Sequence, residues 1–214
     1  MPADAATVHD DNQSTDTKPL ARGFFERDVV ACARQLVGCR LLWGGCAGVI
    51  VETEAYAEHG DEACHTASRP SARTFIREHH AGAAYVYFNY GMHWMLNVLT
   101  KSPKAGNGLI LIRALRPTAG LDVMRERRAA RMKSVPPEHD RWLCSGPGKL
   151  AAAIAVTGAD HGRNLISPIG PMIAPADARR DARLVVEATP RIGISKARDL
   201  PWRFVAARNA YVSR

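Results

Sequence analysis

The stretch from Tyr85 to Leu115 limits the possible folds of this chain more than any other. It holds Tyr85-Val86-Tyr87-Phe88, then Trp94 to Leu99, then Gly108 to Leu115, three runs rich in aromatic and aliphatic residues. Such runs read as strands. Asn89-Tyr90-Gly91 between the first two is a hairpin-type turn signal, because Asn and Gly tolerate the positive φ that tight hairpins require. The third run is almost continuously apolar, which predicts a central strand covered on both faces. Upstream, Arg40 to Leu42 and Ala47 to Glu54 read as strands joined by the Gly44-Gly45 turn. A helix is expected from about Asp28 to Leu36, with Asp28 as its N-cap and Gly38 as its stop. Further helices are expected from about Gly120 to Met132 and from Pro147 onward. Short strands are expected at Leu184 to Glu187, Arg191 to Ile194 and Trp202 to Val205, and residues 57–83 as a long irregular, functional loop. The fold class that follows is α+β: a single compact domain with a curved, largely antiparallel β-sheet flanked by helices.

The N-terminal residues do not share this patterning. Residues 1–18 carry Asp4, Asp10, Asp11 and Asp16 against a single Lys18, with little to bury, and read as a disordered tail preceding a domain at 19–214. The whole chain is +8, so the domain without that −3 tail is +11. A compact domain this basic points to a polyanion such as nucleic acid, although solubility alone also produces basic surfaces. No run of 18 apolar residues occurs, so no membrane partner is expected. The five cysteines are odd in number and form no Cys-x-x-Cys, the pattern of a reduced intracellular protein. No metal and no organic cofactor is expected, and the chain is expected to act as a monomer.

Two local patterns carry chemistry. In Val51-Glu52-Thr53-Glu54-Ala55-Tyr56, strand alternation puts Glu52, Glu54 and Tyr56 on one face. A solvated acidic edge strand would give the same pattern; a functional surface is the other reading, since these acids lead, in a strongly basic domain, into a loop with Glu58, Asp61, Glu62 and His65. In Tyr85, Tyr87 and Tyr90, the first two share a strand face. Tyr90 instead sits at the turn beside Gly91-Met92, badly placed for a core and well placed to enter a base stack as a wedge.

Taken in order, these segments are recognisable. Val51-Glu-Thr-Glu-Ala-Tyr56, Asp61-Glu-Ala-Cys-His65, Tyr85-Val-Tyr87 with Tyr90-Gly-Met92, Asn97, Leu111-Ile-Arg113-Ala-Leu115 and Leu143-Cys-Ser-Gly-Pro-Gly-Lys-Leu150 occur in this sequence with characteristic spacing. Together they resemble the alkyladenine (3-methyladenine) DNA glycosylase family, the class without a helix-hairpin-helix motif, over roughly residues 21–213. The resemblance implies a hydrolase that flips alkylated or deaminated purines out of double-stranded DNA and starts base excision repair. The lesions implied are 3-methyladenine, 7-methylguanine, hypoxanthine and ethenoadenine.

It also implies roles. Glu54 matches the general base that activates water, and Arg113 the arginine beside it. Tyr56, His65 and Tyr87 match residues that wall the base pocket, with His65 and Tyr56 on one face and Tyr87 on the other. Asn97 matches the side chain that opposes a purine 2-amino group. Tyr90 matches the intercalating tyrosine, with Met92 beside it, and Lys149 a lysine that approaches the DNA backbone near a helix N-terminus. The segment Arg73-Thr-Phe-Ile-Arg-Glu-His-His80 departs from the family, which usually carries a Met-Phe pair there. A cellular place follows: cytoplasm or nucleoid in a bacterium, nucleus in a eukaryote. On the residues alone, two other functions stay open, a nucleic-acid-binding module without catalysis and a hydrolase of free nucleosides.

Overall fold

The computed structural model describes residues 17–177 and 184–213. The expected tail falls mostly on residues 1–16, outside the described residues. In chain order the elements are α1 (Arg22–Phe25), α2 (Val29–Leu36), β1 (Arg40–Trp43), β2 (Cys46–Ala57), α3 (His65–Ser68) and α4 (Pro70–Glu78), then β3 (Ala84–Asn89), β4 (His93–Ser102) and β5 (Gly106–Ala119). After them come α5 (Leu121–Ala129), α6 (Arg141–Cys144), α7 (Pro147–Ala153), β6 (Met172–Ala174), β7 (Val186–Thr189) and β8 (Arg203–Ala206). The strands form one sheet in the order β3-β4-β5-β2-β1-β6, with β8 on β2 and β7 on β8, and every pairing is antiparallel. The chain is α+β, as its patterning predicts.

Local chemistry explains most of these elements. Asp28 accepts the Ala31 N–H at 2.8 Å, the N-cap bond that starts α2, and Gly38 takes φ +98° just beyond its end. α2 then buries Val29, Cys32, Ala33 and Leu36 on one face. That face lies so close to β5 that a Cβ on Gly108 would sit 2.6 Å from Val29, so only glycine fits there. Truncating Leu36 to Ala would cost about 2–5 kcal/mol. All five cysteines are unpaired and buried, small core residues rather than bridges.

Three expectations need correction. Residues 57–83 are not irregular throughout: α3 and α4 lie within them. Pro70 starts α4, and Ala72, Phe75 and Ile76 recur at helical spacing and bury against Tyr85, Leu99 and Leu109. Arg191 to Ile194 forms no strand, because Gly193 has φ +76° and the polar groups of Arg191 and Ile192 turn toward side chains instead of a neighbouring ladder. The idea of a solvated acidic edge also fails. β2 pairs with β5 along its length, and its other side is covered by β1 at one end and β8 at the other.

β2 and β5 are also where the sheet is irregular. Ile50 pairs with Leu115, Glu52 with Ala114 and Thr53 with Ile112, so the register skips Val51 on one strand and Arg113 on the other. Bulges of this kind re-aim side chains and are frequent beside active sites.

Candidate active site

Glu52 and Glu54 are fully buried, at 0% exposure, in the middle of β2. Charged groups so placed persist only when paired and hydrogen-bonded. Arg113, set out of the regular ladder, serves both: its Nε donates to Glu52 Oε1 at 2.7 Å and its Nη1 lies 3.1 Å from Glu54 Oε2. Glu52 also accepts from Arg203 Nε at 2.7 Å, the Ser213 N–H at 2.7 Å and the Ser213 hydroxyl at 2.8 Å. Burial opposes the ionised form of Glu52. Arg113, Arg203 and the Ser213 N–H outweigh it and hold the carboxyl below its usual range. The Arg113 guanidinium is in turn held above its usual range, against its own burial, by Glu54 and Glu52.

Glu54 is clamped on both oxygens. Oε2 accepts the Tyr56 hydroxyl at 2.7 Å as well as Arg113, and Oε1 accepts the Ile192 N–H at 2.7 Å. Burial, then the charge of Glu54, push the Tyr56 phenol far above its usual range, so it stays protonated and donates. A carboxylate offers about four acceptor positions. Three of those on Glu54 are used, which leaves room for one further donor such as water.

Tyr56, Arg113 and Ile192, which grip Glu54, line a cavity of about 620 Å³, within the range of small-ligand sites, so the acid cluster underlies its floor. Its lining includes Tyr56, His65, Tyr85, Tyr87, Asn97 and Arg113. His65 and Tyr87 lie edge to face with ring centroids 4.4 Å apart, and Tyr85 is tilted against Tyr87 at 5.6 Å. This differs from the expected grouping of His65 with Tyr56. Rings as close as His65 and Tyr87 leave no room for a third ring between them, so those two form one wall. His65 Nδ1 is 3.1 Å from the Tyr85 hydroxyl. Burial, with a smaller push from Arg69, lowers His65 to about 4, so near neutral pH the imidazole is uncharged. Tyr87 is pushed up to about 12, chiefly by burial. Asn97 donates from Nδ2 to the Tyr85 carbonyl at 3.1 Å, which fixes its amide in the cavity wall.

The β3–β4 hairpin carries the remaining aromatic. Tyr90 adopts φ +50° and Gly91 φ +66°, and the turn closes with the Met92 N–H on the Asn89 carbonyl at 3.0 Å. Tyr90 lines the cavity yet is 81% exposed, and Met92 beside it is 63% exposed. A bulky residue in the left-handed region is strained, by about 1–3 kcal/mol, and such strain gathers at functional sites. Lys149 does not reach the cavity; it is an exposed residue of α7 and lines a separate cleft with Arg141 and Trp142. Among the described residues no group of three or more His, Cys, Asp or Glu side chains is placed to hold a metal ion. No described helix is long and apolar enough to cross a membrane.

The structure thus brings Arg113, Tyr56, His65, Tyr87, Asn97 and Tyr90 around one cavity, with Glu54 buried behind Tyr56 and Arg113. Sequence reasoning missed others. Tyr85 reads in the sequence as a strand residue beside Tyr87, and alternation along β2 puts Glu52 on the face of Glu54 without pointing to Arg113 as its partner. Asp61 stood inside a recognised segment. Arg191, Ile192, Arg203 and Ser213 had no local signal, because their partners are more than a hundred residues away in the chain.

Comparison with known proteins identifies a family. The family described as Methylpurine-DNA glycosylase (MPG) matches residues 23–210. A protein of Rhodopseudomonas palustris (strain ATCC BAA-98 / CGA009), named "Putative 3-methyladenine DNA glycosylase", is 44% identical over 196 residues, covering 91% of this chain and 88% of its own. Proteins of the same name from Granulibacter bethesdensis and Nitrosospira multiformis are 42% and 40% identical, covering 89% of this chain each and 85% and 91% of their own lengths. With the family matched along nearly the whole folded region, the chain belongs to the methylpurine-DNA glycosylase family and is a hydrolase of the DNA glycosylase type.

Proposed function

We propose that this chain, acting as a monomer, everts an alkylated purine from duplex DNA and hydrolyses its N-glycosidic bond with a water activated by Glu54. One observation carries the proposal: Glu54 is buried and held on both oxygens by three donors, and the residues that supply them, Tyr56, Ile192 and Arg113, all line an aromatic-walled cavity of about 620 Å³. In the reaction, the water oxygen bonds to C1′ as the C1′–N9 bond breaks. The bonding pair leaves with the base and the water proton passes to Glu54. A base alkylated at N3 or N7 already carries positive charge, so it leaves as a neutral molecule and needs little acid assistance. The negative charge of Glu54 also stabilises the sugar cation that develops in the transition state. Arg113, 3.1 Å from Glu54 Oε2, pairs with that charge and holds the carboxylate in place.

Recognition follows from the walls. A cationic base against the rings of Tyr56, Tyr87 and neutral His65 gains about 0.5–2 kcal/mol that a normal purine does not. Asn97 opposes a 2-amino group and so disfavours guanine; 7-methylguanine keeps that group, and its positive charge and easier departure offset the penalty. Tyr90, with Met92, fills the gap left in the stack, which offsets part of the few kcal/mol that eversion costs. Lys149 and the basic surface hold phosphates. The curated relatives are bacterial, which supports a place in the cytoplasm or nucleoid. 3-Methyladenine and 7-methylguanine are the primary substrates; hypoxanthine and ethenoadenine are neutral and leave less readily.

The test is release of free base from duplexes carrying each lesion, with free alkylated nucleosides alongside. Glu54→Gln should release no base yet still bind lesion DNA, and turnover by that variant would sink the proposal. Lys196 lines the cavity rim, paired with Glu62 at 3.4 Å. A monofunctional enzyme makes no Schiff base, so borohydride should trap no protein–DNA adduct.

A further inference from the structure

Arg191 is 94% removed from solvent, since its exposure is 6%, and nothing assigned so far uses it. Its Nη1 donates to Asp61 Oδ2 at 2.6 Å and to the Ala55 carbonyl at 2.8 Å. Its Nη2 donates to Asp61 Oδ1 at 2.8 Å and to the Ala197 carbonyl at 3.2 Å. Asp61 completes the set by accepting from the Ala57 and Ala63 N–H groups at 3.2 and 3.1 Å. The pair therefore ties together three pieces of chain: the end of β2, the 58–64 loop and the segment that follows β7. All four Nη bonds stay within the protein, while the Nε is buried without a hydrogen-bond partner.

A buried ion pair is a poor stabilising device. Apolar residues of similar volume often do as well, so its retention asks for another reason. Its neighbours supply one. The residue after Arg191 is Ile192, whose N–H holds Glu54 Oε1. The guanidinium itself lies 4.7 Å from the centroid of the Tyr56 ring, and the hydroxyl of that ring holds Glu54 Oε2. Both clamps on Glu54 that do not come from Arg113 thus rest on Arg191.

We propose that Arg191 and Asp61 form a positioning pair that sets the Ile192 N–H and the Tyr56 hydroxyl on the two oxygens of Glu54, so that its free lone pair points at the attacking water. The inference rests on the reading of Glu54 as the general base. A carboxylate gripped on both oxygens cannot rotate about its Cγ–Cδ bond; one that loses either grip can. Neither member lines the cavity, so the pair bears on the chemical step rather than on lesion binding.

The test compares Arg191→Lys, Asp61→Asn and the double variant with the parent chain, using a duplex carrying 7-methylguanine. Base release is followed under single turnover, and lesion binding is measured separately. Lysine keeps the charge but loses the two-pronged grip on Asp61 and the guanidinium over the Tyr56 ring. Each single variant should release base about 10- to 100-fold more slowly, as expected for a displaced catalytic group, with the Kd for lesion DNA within about twofold of the parent. The double variant should be little slower than either single one, since the two act as a unit. Asp61→Glu, which keeps the charge and moves the carboxylate, serves if Asp61→Asn does not fold, and should show the same loss. Rates near the parent's, a Kd that weakens in step with the rate, or additive losses would each overturn the positioning pair while leaving the reading of Glu54 intact. A parent chain that releases no base, or a Glu54→Gln variant that does, overturns both.

Discussion

The floor of the cavity and the tip of the β3–β4 hairpin are opposites in construction. On the floor, Glu52, Glu54 and Arg113 are buried, and every carboxylate oxygen has a partner between 2.7 and 3.1 Å. At the tip, Tyr90 and Met92 stand exposed on a turn with positive φ at Tyr90. The floor is over-determined by contacts from four parts of the chain. The tip has apolar surface without a place to bury it and a strained backbone held only by its hairpin. One region is finished in the free protein; the other reads as awaiting a partner. Activity and stability should therefore move together on the floor and separate at the tip.

The largest effect should come from Arg113→Met. It leaves Glu54 buried without its cation, so base release should vanish and the unfolding free energy should fall by about 3–5 kcal/mol. Single-turnover assays and denaturant melts check both, and a stable but inactive variant would mean that the floor is less tightly coupled than its contacts imply. Tyr90→Gly should do the reverse. Glycine relieves the positive φ, so stability should hold or rise by up to about 1 kcal/mol. Release from duplex should drop about tenfold or more, with a smaller loss on single-stranded lesion DNA, since a wedge matters only in a stack. Equal losses on both substrates would remove the wedge from the account.

The smallest effect belongs to His65, which sits between the two regions. Its value falls from the usual 6.5 to about 4 because burial, and then Arg69, disfavour the charged ring. The unfolded chain therefore binds this proton more readily than the folded one. The stability contributed by His65 is complete above about pH 6.5 and is lost as pH falls toward about 4. His65→Gln should flatten that part of the stability–pH curve relative to the parent, and superimposable curves would show that the imidazole is more hydrated than its surroundings suggest.

How much of this was legible beforehand varies by element. The N-cap at Asp28, the hairpin at Asn89-Tyr90-Gly91 and the shared face of Glu52, Glu54 and Tyr56 depend on neighbours a few residues away, and the structure has each of them. The helix α4 was also written in the spacing of Ala72, Phe75 and Ile76; the polar, His- and Arg-rich composition around it masked that period. Arg191 to Ile194 misled in the other direction. Its apolar alternation suits a strand, but its N–H and guanidinium groups had a stronger call from Glu54 and Asp61.

By itself the sequence determined the strand faces, the turns, the helix caps and, through its ordered segments, the family. Only the tertiary structure decided how Glu54 is gripped. Its second oxygen is held by a backbone N–H 138 residues away, and any residue but proline supplies such a group. Pattern along a chain carries the identity of side chains at short range. Which distant main-chain donor closes on a buried acid is set by how the sheet curves and where its register slips.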